Sequence, residues 1–259
     1  GYAVINAFYK KYQKHFDVSE NNFAHFVMWS CGGICIGFVI GLVGIAFHLA
    51  LEWATEFRTA HPMLLWLLPF GGLAIVLAYR LAGQEKDRGT NFILVAVRAN
   101  EAVTLRTAPL IFFSTVVTHL LGGSAGREGA ALQLGGSIAS SFGRMFQLNE
   151  REGRIMTMCG MAAGFAALFG TPLTSVIFAM EVITVGVMHY SAIVPCIISA
   201  LVAAGLSQAV GIAPTTFSIA HIPATVGLEN CFRAAVLGVL CAVLSVLFCI
   251  VMEHIGGAY

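Results

Sequence analysis

The stretch Gly122-Gly-Ser-Ala-Gly-Arg-Glu-Gly129, which continues as Ala-Ala-Leu-Gln-Leu-Gly-Gly136, sets the expectations for the whole chain. It places four glycines and the adjacent Arg127 and Glu128 between two apolar segments. A charge at membrane depth costs several kcal/mol, so a buried Arg127 and Glu128 indicate function. Glycine lets a ligand approach the backbone closely. The free amides at the start of a helix together carry roughly half a positive charge. A helix opening near Glu128 therefore predicts an anion site built from N–H groups. The alternative is a glycine-rich connector with a structural ion pair.

Composition indicates an integral membrane protein. Hydrophobic residues make up 58% of the chain, charged residues only 10%, and the mean hydropathy is +0.84. Soluble domains carry about 25% charged residues. A net charge of +1 without clustered Lys and Arg argues against nucleic acid as a partner. The seven cysteines lie singly in apolar runs, so we interpret them as small core residues rather than disulfides or metal ligands and expect no cofactor.

Two apolar runs near the N-terminus predict membrane spans. Residues 1–22 carry three lysines and aromatic side chains, which predicts an amphipathic segment at the cytoplasmic surface. Residues 23–54 and 62–81 are each long enough to cross about 30 Å of hydrocarbon. Lys and Arg concentrate before the first run and after the second, so both flanks are predicted to be inside. Glycines at spacings of three and four should let a neighbouring backbone approach the first run: Gly33, Gly37, Gly41 and Gly44.

The middle of the chain has segments too short or too polar for simple spans. Residues 89–99 open with glycine and small polar side chains, which predicts another helix N-terminus. An apolar run covers 109–121, and the run 130–146 contains Gln and Ser, so we expect the latter to pack inside protein. Residues 149–154 are predicted to form a hydrophilic loop with a helix start. Further apolar runs cover 190–210 and the region from about Leu228 onward.

The run 155–185 is interrupted by Phe169-Gly-Thr-Pro172. Proline ends one helix and is suited to begin the next, so two helices in series are expected. Discontinuous helices are typical of ion-binding transporter folds. Glu181 near the end of the second helix is either an interfacial residue or part of a proton or ion path.

These residues resemble the CLC family of chloride channels and anion/proton antiporters. The resemblance rests on the run from Gly122 to Gly136 and on Cys159-Gly-Met-Ala-Ala-Gly-Phe-Ala-Ala-Leu-Phe-Gly-Thr-Pro-Leu-Thr-Ser-Val-Ile-Phe-Ala-Met-Glu181. It implies a homodimer in which each subunit has its own pore, made by two inverted repeats. It also implies that helix N-termini hold anions near the midplane. The motif glutamate, which gates the pore and carries protons, maps onto Glu128.

Three departures from the family pattern bear on ion choice and coupling. The usual proline after Gly-Arg-Glu-Gly is Ala130, and the usual Gly-Ser-Gly-Ile-Pro element is Gly89-Thr-Asn-Phe-Ile93. Both changes are similar to those of the fluoride/proton antiporter branch. Val182 follows Glu181, where proton-coupled members have a second glutamate, so protons would need another internal route.

We therefore expect an all-α, polytopic, CLC-like inverted-repeat fold with broken, partly re-entrant helices. The domains are an N-terminal cytoplasmic segment (1–22), a first transmembrane repeat (23–211), and an extramembrane loop with the first helix of a truncated second repeat (212–259). The chain is expected to be a fragment located in a bacterial inner membrane. The face of residues 173–210 is expected to form the dimer interface, as the resemblance implies. Small side chains in this segment support that expectation because they let helices approach closely: Thr174, Ser175, Ala179, Ala192, Ser199, Ala200 and Ala203.

The predicted function is fluoride/proton antiport without enzyme activity, with a halide, protons, lipid and a second subunit as partners. Glu128 gates and carries protons, and Glu181 is a candidate for the proton path. Arg127 is expected to supply positive potential, with direct ligation of the ion as the alternative. The residues assigned to the anion site are Gly126, Arg127, Gly129, Ala130, Thr90 and Asn91.

Four other functions are alternatives. Two are chloride/proton antiport and a chloride channel of the same family. A sodium-coupled transporter of organic anions would need more acidic ion ligands than the chain offers. An intramembrane rhomboid-like serine protease is suggested by Gly122-Gly-Ser-Ala-Gly126 with His119 nearby. That motif requires a strand-to-helix elbow, which the preceding apolar run does not indicate.

Overall fold

The computed structural model describes residues 22–84, 104–183, 190–212 and 227–256, and every regular element in these ranges is helical. The chain divides into two compact units, residues 1–215 and 216–259. The second unit contains α8 (Leu228–Gly256). The helices of the first unit are α1 (Asn22–Ala60), a 3₁₀ segment (Pro62–Leu67), α2 (Leu68–Leu81), α3 (Thr107–Leu120), α4 (Arg127–Met145), α5 (Glu150–Phe169), α6 (Pro172–Ile183), a 3₁₀ turn (Tyr190–Ala192) and α7 (Ile193–Ala209).

Four helical stretches are long and apolar enough to cross a membrane: Phe26–Ala60, Pro62–Leu81, Tyr190–Ala209 and Leu228–Ile255. The prediction of a multi-pass integral membrane protein is confirmed. Helices α3 and α6 are apolar but have only 14 and 12 residues. At 1.5 Å per residue, neither reaches across about 30 Å of hydrocarbon, as expected for broken helices.

One predicted boundary was wrong and another was confirmed. Helix α1 continues to Ala60 rather than ending near residue 54, because a helix can extend past its apolar stretch. Helix α5 begins at Glu150, which confirms the helix start predicted within residues 149–154. The Asn149 side chain accepts a hydrogen bond from Glu152 N at 2.9 Å, and Asn149 N donates to Glu152 Oε2 at 3.1 Å. This capping box satisfies two backbone donors and stabilises the start by about 1 kcal/mol.

The glycine face of α1 lies against α7, as the spacing of the glycines predicted. A Cβ placed on Gly33 would lie 2.9 Å from the Pro195 carbonyl oxygen, and one on Gly37 would lie 2.5 Å from that of Ser199. Gly41 faces the Ala203 Cα in the same way, at 3.1 Å. Backbone therefore packs on backbone, without an intervening layer of side chains.

Helices α4 and α5 make a similarly close antiparallel contact. A Cβ on Gly135 would collide with the Gly160 carbonyl oxygen, and one on Gly164 would lie 2.7 Å from the Ala131 carbonyl oxygen. Residues 130–139 of α4 are all buried, which confirms the predicted packing inside protein for the first part of the run 130–146, whereas residues 144–146 are exposed. Helix α5 also contacts α1, α6 and α7, so it is the central helix of the first unit.

The small residues predicted to support the dimer interface are mostly turned inward, so their use as subunit contacts was wrong, while the assignment of residues 173–210 to the interface stays a prediction. Thr174 is exposed, but the other six are buried within the subunit: Ser175, Ala179, Ala192, Ser199, Ala200 and Ala203. Their small volume serves packing within the chain. For example, Ser199 Oγ donates to the Cys159 carbonyl at 3.0 Å, which joins α7 to α5.

The interpretation of the cysteines as core residues is confirmed for Cys159 and Cys196, whose sulfurs lie 3.6 Å apart between α5 and α7. It was wrong for the five exposed cysteines, which are Cys231, Cys241 and Cys249 on α8 and Cys31 and Cys35 on an exposed face of α1. The i, i+4 spacing of Cys31 and Cys35 places both on the side of α1 that turns away from the core.

Candidate anion site at the start of helix α4

The turn between α3 and α4 is closed by its own backbone. Gly122 N donates to the His119 carbonyl at 3.2 Å, and Gly123 N donates to the Thr118 carbonyl at 2.8 Å. Gly122 has a φ of +83°, a conformation that side-chain-bearing residues rarely adopt. The first glycines of the motif therefore end α3 and reverse the chain.

Neighbouring elements leave no space for side chains at these glycines. A Cβ on Gly122 would lie 3.0 Å from Leu65 Cδ1 and 3.3 Å from Arg58 Cδ, and a Cβ on Gly123 would lie 2.7 Å from Thr118 Cγ2. The end of α1 and the 3₁₀ segment thus pack on the turn. Arg58 brings a half-buried basic side chain to it.

Helix α4 begins without a side-chain cap. Its N-cap is Gly126, in an extended conformation, and no side chain accepts a hydrogen bond there. The first N–H groups of a helix have no partner within it, so those of Arg127, Glu128 and Gly129 are available as donors. Ala130 is the fourth residue of the helix. In α-helical geometry its N–H is directed at the carbonyl of the N-cap residue Gly126. Its assignment to the anion site stays a prediction.

The Glu128 carboxylate lies beside the start of its own helix. A Cβ built on Gly126 would be 3.0 Å from Glu128 Oε2, so the side chain folds back over the N-cap. Negative charge is stabilised at this end of a helix. The expectation that both motif charges are buried was wrong, because Glu128 is exposed and Arg127 is half-buried in this chain. Glu128 lies in the first turn of α4, before the stretch of that helix that is buried.

In the part of the chain that the structure describes, ion pairs join His48 to Glu52 and Arg233 to Glu229, and neither Arg127 nor Glu128 takes part in them. Arg127 and Glu128 do not form an ion pair with each other. The structure therefore does not support the alternative of a glycine-rich connector with a structural ion pair. Two adjacent residues in a helix point about 100° apart, which disfavours such a contact.

The predicted helix break lies at the same end of the bundle as this site. Gly170 ends α5 in the left-handed conformation, with a φ of +64°, and Pro172 opens α6. The Phe165 and Phe178 rings meet across the break, with centroids 5.2 Å apart. Since α4 and α5 run antiparallel, the start of α4 lies near the end of α5.

The described structure does not place Glu181, Thr90 or Asn91 beside the start of α4. Glu181 is half-buried and lies nine residues beyond Pro172, which is about 14 Å along α6. Thr90 and Asn91 lie outside the described residues. The protease alternative lacks its elbow, because helix α3 precedes Ser124. His119 Nδ1 lies 2.9 Å from the Thr115 carbonyl of its own helix.

Comparison with known proteins identifies the family of the chain. Residues 70–259 match the family model described as voltage gated chloride channel. The chain belongs to this family. The chloride channel family also includes the relatives that follow. A chloride/fluoride channel protein of Pseudomonas syringae pv. tomato is 36% identical over 222 residues, covering 85% of this chain and 49% of the relative. An H(+)/Cl(-) exchange transporter ClcA of Cronobacter sakazakii is 34% identical over 160 residues, covering 56% of this chain and 34% of the relative.

Solved structures of the family agree with the fold. The crystal structure of a CLC-type fluoride/proton antiporter matches with a TM-score of 0.73 and 31% identity, over 85% of this chain and 56% of that one. A slow cyanobacterial Cl-/H+ antiporter matches with a TM-score of 0.61 and 21% identity, over 83% and 54%. The latter likeness concerns the fold alone. The chain spans about half the length of the curated relatives it matches, and at most 49% of those described here.

One residue at the site was missed by sequence reasoning. Arg58 counted only as a charge in the connection after the first span, yet its side chain reaches the turn at Gly122. No local pattern distinguishes it, because the contact joins residues more than sixty positions apart in sequence. Only the fold brings the end of α1 to the turn before α4.

Proposed function

We propose that the chain is part of a membrane transporter that exchanges a halide, with fluoride preferred, for protons and so exports fluoride from the cell. The observation that carries this proposal is the Glu128 carboxylate folded over Gly126, beside the uncapped start of α4. A carboxylate and an anion would then compete for the same donors. The chain's relatives, a chloride/fluoride channel protein and a CLC-type fluoride/proton antiporter, support the choice of ions.

The mechanism follows from this competition. While Glu128 is ionised, its carboxylate lies at the helix start and opposes a second negative charge. Protonation removes that charge and frees the N–H groups of Arg127, Glu128 and Gly129 for the halide. A proton therefore changes the affinity for the anion, which is the differential binding that exchange requires. Arg127 and Arg58 add positive potential, and weak, solvated attraction allows the ion to leave again.

The experiment that tests the choice of ion measures efflux of each halide from vesicles containing the full-length protein, with ion-selective electrodes. Fluoride is small and strongly hydrated, so it needs donors that replace its water. We expect Thr90 and Asn91 to supply such donors, and we expect fluoride efflux to exceed chloride efflux. Chloride efflux equal to or faster than fluoride efflux overturns the fluoride proposal and favours the chloride antiporter or channel, as in the ClcA relative.

Variants of Thr90 and Asn91 test whether the proposed donors select fluoride over chloride. Asn91→Ala and Thr90→Ala each remove a donor to a charged group, worth about 1.5–3 kcal/mol. We expect each to lower fluoride efflux about tenfold or more and to change chloride efflux less. The control is Ser124→Ala, because Ser124 is exposed in the turn and is not assigned to the anion site. An equal loss for both halides in the donor variants would contradict a role in selection.

We also propose that residues 23–211 form the first of two inverted repeats and residues 212–259 open the second, as the resemblance implies. Lys and Arg counts favour a cytoplasmic N-terminus in a bacterial inner membrane. Membrane-impermeant labelling of single cysteines tests this orientation. A cysteine at His61 should react from outside the cell, and one at Gln84 should not.

Assembly as a homodimer is supported by apolar side chains that α6 and α7 leave exposed. Leu173, Ile177 and Leu201 are 67%, 48% and 54% exposed. Single cysteines at these positions, in a protein whose exposed native cysteines are replaced, should cross-link into dimers. A cysteine at Phe38, which is 49% exposed on α1, is the control and should remain monomeric. Monomer bands at all three positions would contradict this interface.

A further inference from the structure

A groove of about 470 Å³ lies between α2 and α3. One face of each helix lines it, including Ala74 and Ala78 from α2 and Leu110 and Phe113 from α3. Phe113 is 66% exposed although it is a large apolar side chain. The residues that the structure describes therefore leave the groove open on one side, where an apolar chain of a lipid can enter.

The two ends of the groove differ in character. Helices α2 and α3 run antiparallel, because Gly71 near the start of α2 meets Leu121 just after the end of α3. The last turn of α2 and the start of α3 thus meet at the other end, where Tyr79 and Arg106 line the groove. The far end, toward Ala74, is apolar. Among the described residues that line the groove, none is acidic.

Arg106 supplies charge at the first end. It is exposed, and it has no hydrogen-bond or ion-pair partner among the residues that the structure describes. Arg80 lies in the last turn of α2, at the same end. Tyrosine rings are enriched where lipid headgroups lie, which suits Tyr79 to this level of the membrane. The charged end is therefore complementary to a phosphate group at the membrane surface.

The dimensions fit one lipid leaflet. From Ala82 to Ala74 the groove follows α2 for eight residues, about 12 Å. Half of a hydrocarbon core of about 30 Å is about 15 Å. A chain that starts at the charged end would follow the apolar face of both helices toward the bilayer centre. Basic pockets between membrane helices are known to hold anionic headgroups.

We propose that this groove binds one anionic phospholipid, with its phosphate at Arg106 and an acyl chain along Ala78, Leu110 and Phe113. The site is distinct from the start of α4 and does not depend on which ion is transported. Its contribution is to hold α2 against α3: among the residues that the structure describes, α2 packs mainly on α3 and the 3₁₀ segment.

The test measures binding of phosphatidylglycerol and phosphatidylcholine with identical acyl chains to the delipidated full-length protein by native mass spectrometry. We expect phosphatidylglycerol to bind about fivefold more tightly, as for one basic side chain near an anionic lipid. Arg106→Gln should abolish this preference. Ala78→Phe fills the groove from α2 and should weaken the binding of both lipids. Leu110→Trp fills the groove from α3 and replaces the first variant if Ala78→Phe does not fold.

The controls lie away from the groove. Arg233→Gln removes an exposed charge from α8, and Ala46→Phe adds bulk to an exposed position on α1, so neither should change lipid binding. Equal binding of the two lipids by the wild-type protein, or an equal loss in Arg233→Gln and Arg106→Gln, overturns the proposal. So does displacement of phosphatidylglycerol by an equal concentration of soluble glycerol phosphate, which would show that the groove is not used. Unchanged binding in both groove-filling variants overturns it as well.

Discussion

Glu128→Gln in the full-length protein is expected to abolish proton movement while halide efflux continues. Glutamine has nearly the size of glutamate but cannot be ionised or carry a proton at this position. With no charge beside Gly126, nothing in the side chain would oppose an anion at the start of α4. Anion flux would then no longer depend on the proton gradient. The measurement uses vesicles loaded with a pH dye, in which a halide gradient drives proton uptake in the wild-type protein.

Two further variants make this result specific. Glu52→Gln removes an exposed carboxylate from α1, where it lies 3.8 Å from His48, and should leave proton uptake unchanged. Glu181→Gln reports on the candidate proton path in α6. Persistent proton uptake in Glu128→Gln would remove Glu128 from the gating role. If uptake were lost in Glu181→Gln alone, Glu181 would be the coupling residue instead.

Gly135→Ala is expected to destabilise the protein, although alanine normally stabilises a helix relative to glycine by about 1 kcal/mol. The new methyl group would meet the Gly160 carbonyl of α5, a backbone atom that cannot turn aside as a side chain can. Overpacking of this kind costs about 1–3 kcal/mol or more. The two helices would have to separate. The thermal unfolding midpoint in detergent should therefore fall.

Gly205→Ala on α7 is the matched control, because a Cβ there would meet no atom within 4 Å. It exchanges the same residues in a helix and should leave the unfolding midpoint unchanged or raise it. Equal midpoints for Gly135→Ala and Gly205→Ala would contradict the close contact between α4 and α5. Halide efflux from the Gly135→Ala protein that remains folded should also fall, since the proposed anion site lies at the start of α4.

The sequence was sufficient to predict features that depend on local pattern. The spacing of Gly33, Gly37 and Gly41 predicted a close helix contact, and the Gly-Thr-Pro sequence before Leu173 predicted a break between helices. Both are present. Glycine and proline restrict the backbone wherever the rest of the chain goes, so their positions are informative without tertiary information.

Features that depend on distant contacts were missed. The inward orientation of Ser199 and Ala203 on α7 is set by α1 and α5, and sequence reasoning took their small size as a sign of contact between subunits. Small residues serve both kinds of interface equally well. The contact of Arg58 with the turn at Gly122 depends in the same way on the packing of α1, which no local pattern records.

The direct backbone contact between α4 and α5 has a consequence for timing. Side chains between helices can change rotamer and let the helices slide, but the contact of Gly135 with Gly160 has no such freedom. Displacing the start of α4 would require rearranging a packed interface, and collective movements of this type take microseconds to milliseconds. Rotation of the exposed Glu128 side chain requires none of it and takes picoseconds to nanoseconds. The gating proposed for Glu128 therefore needs only a movement of its side chain and no displacement of α4.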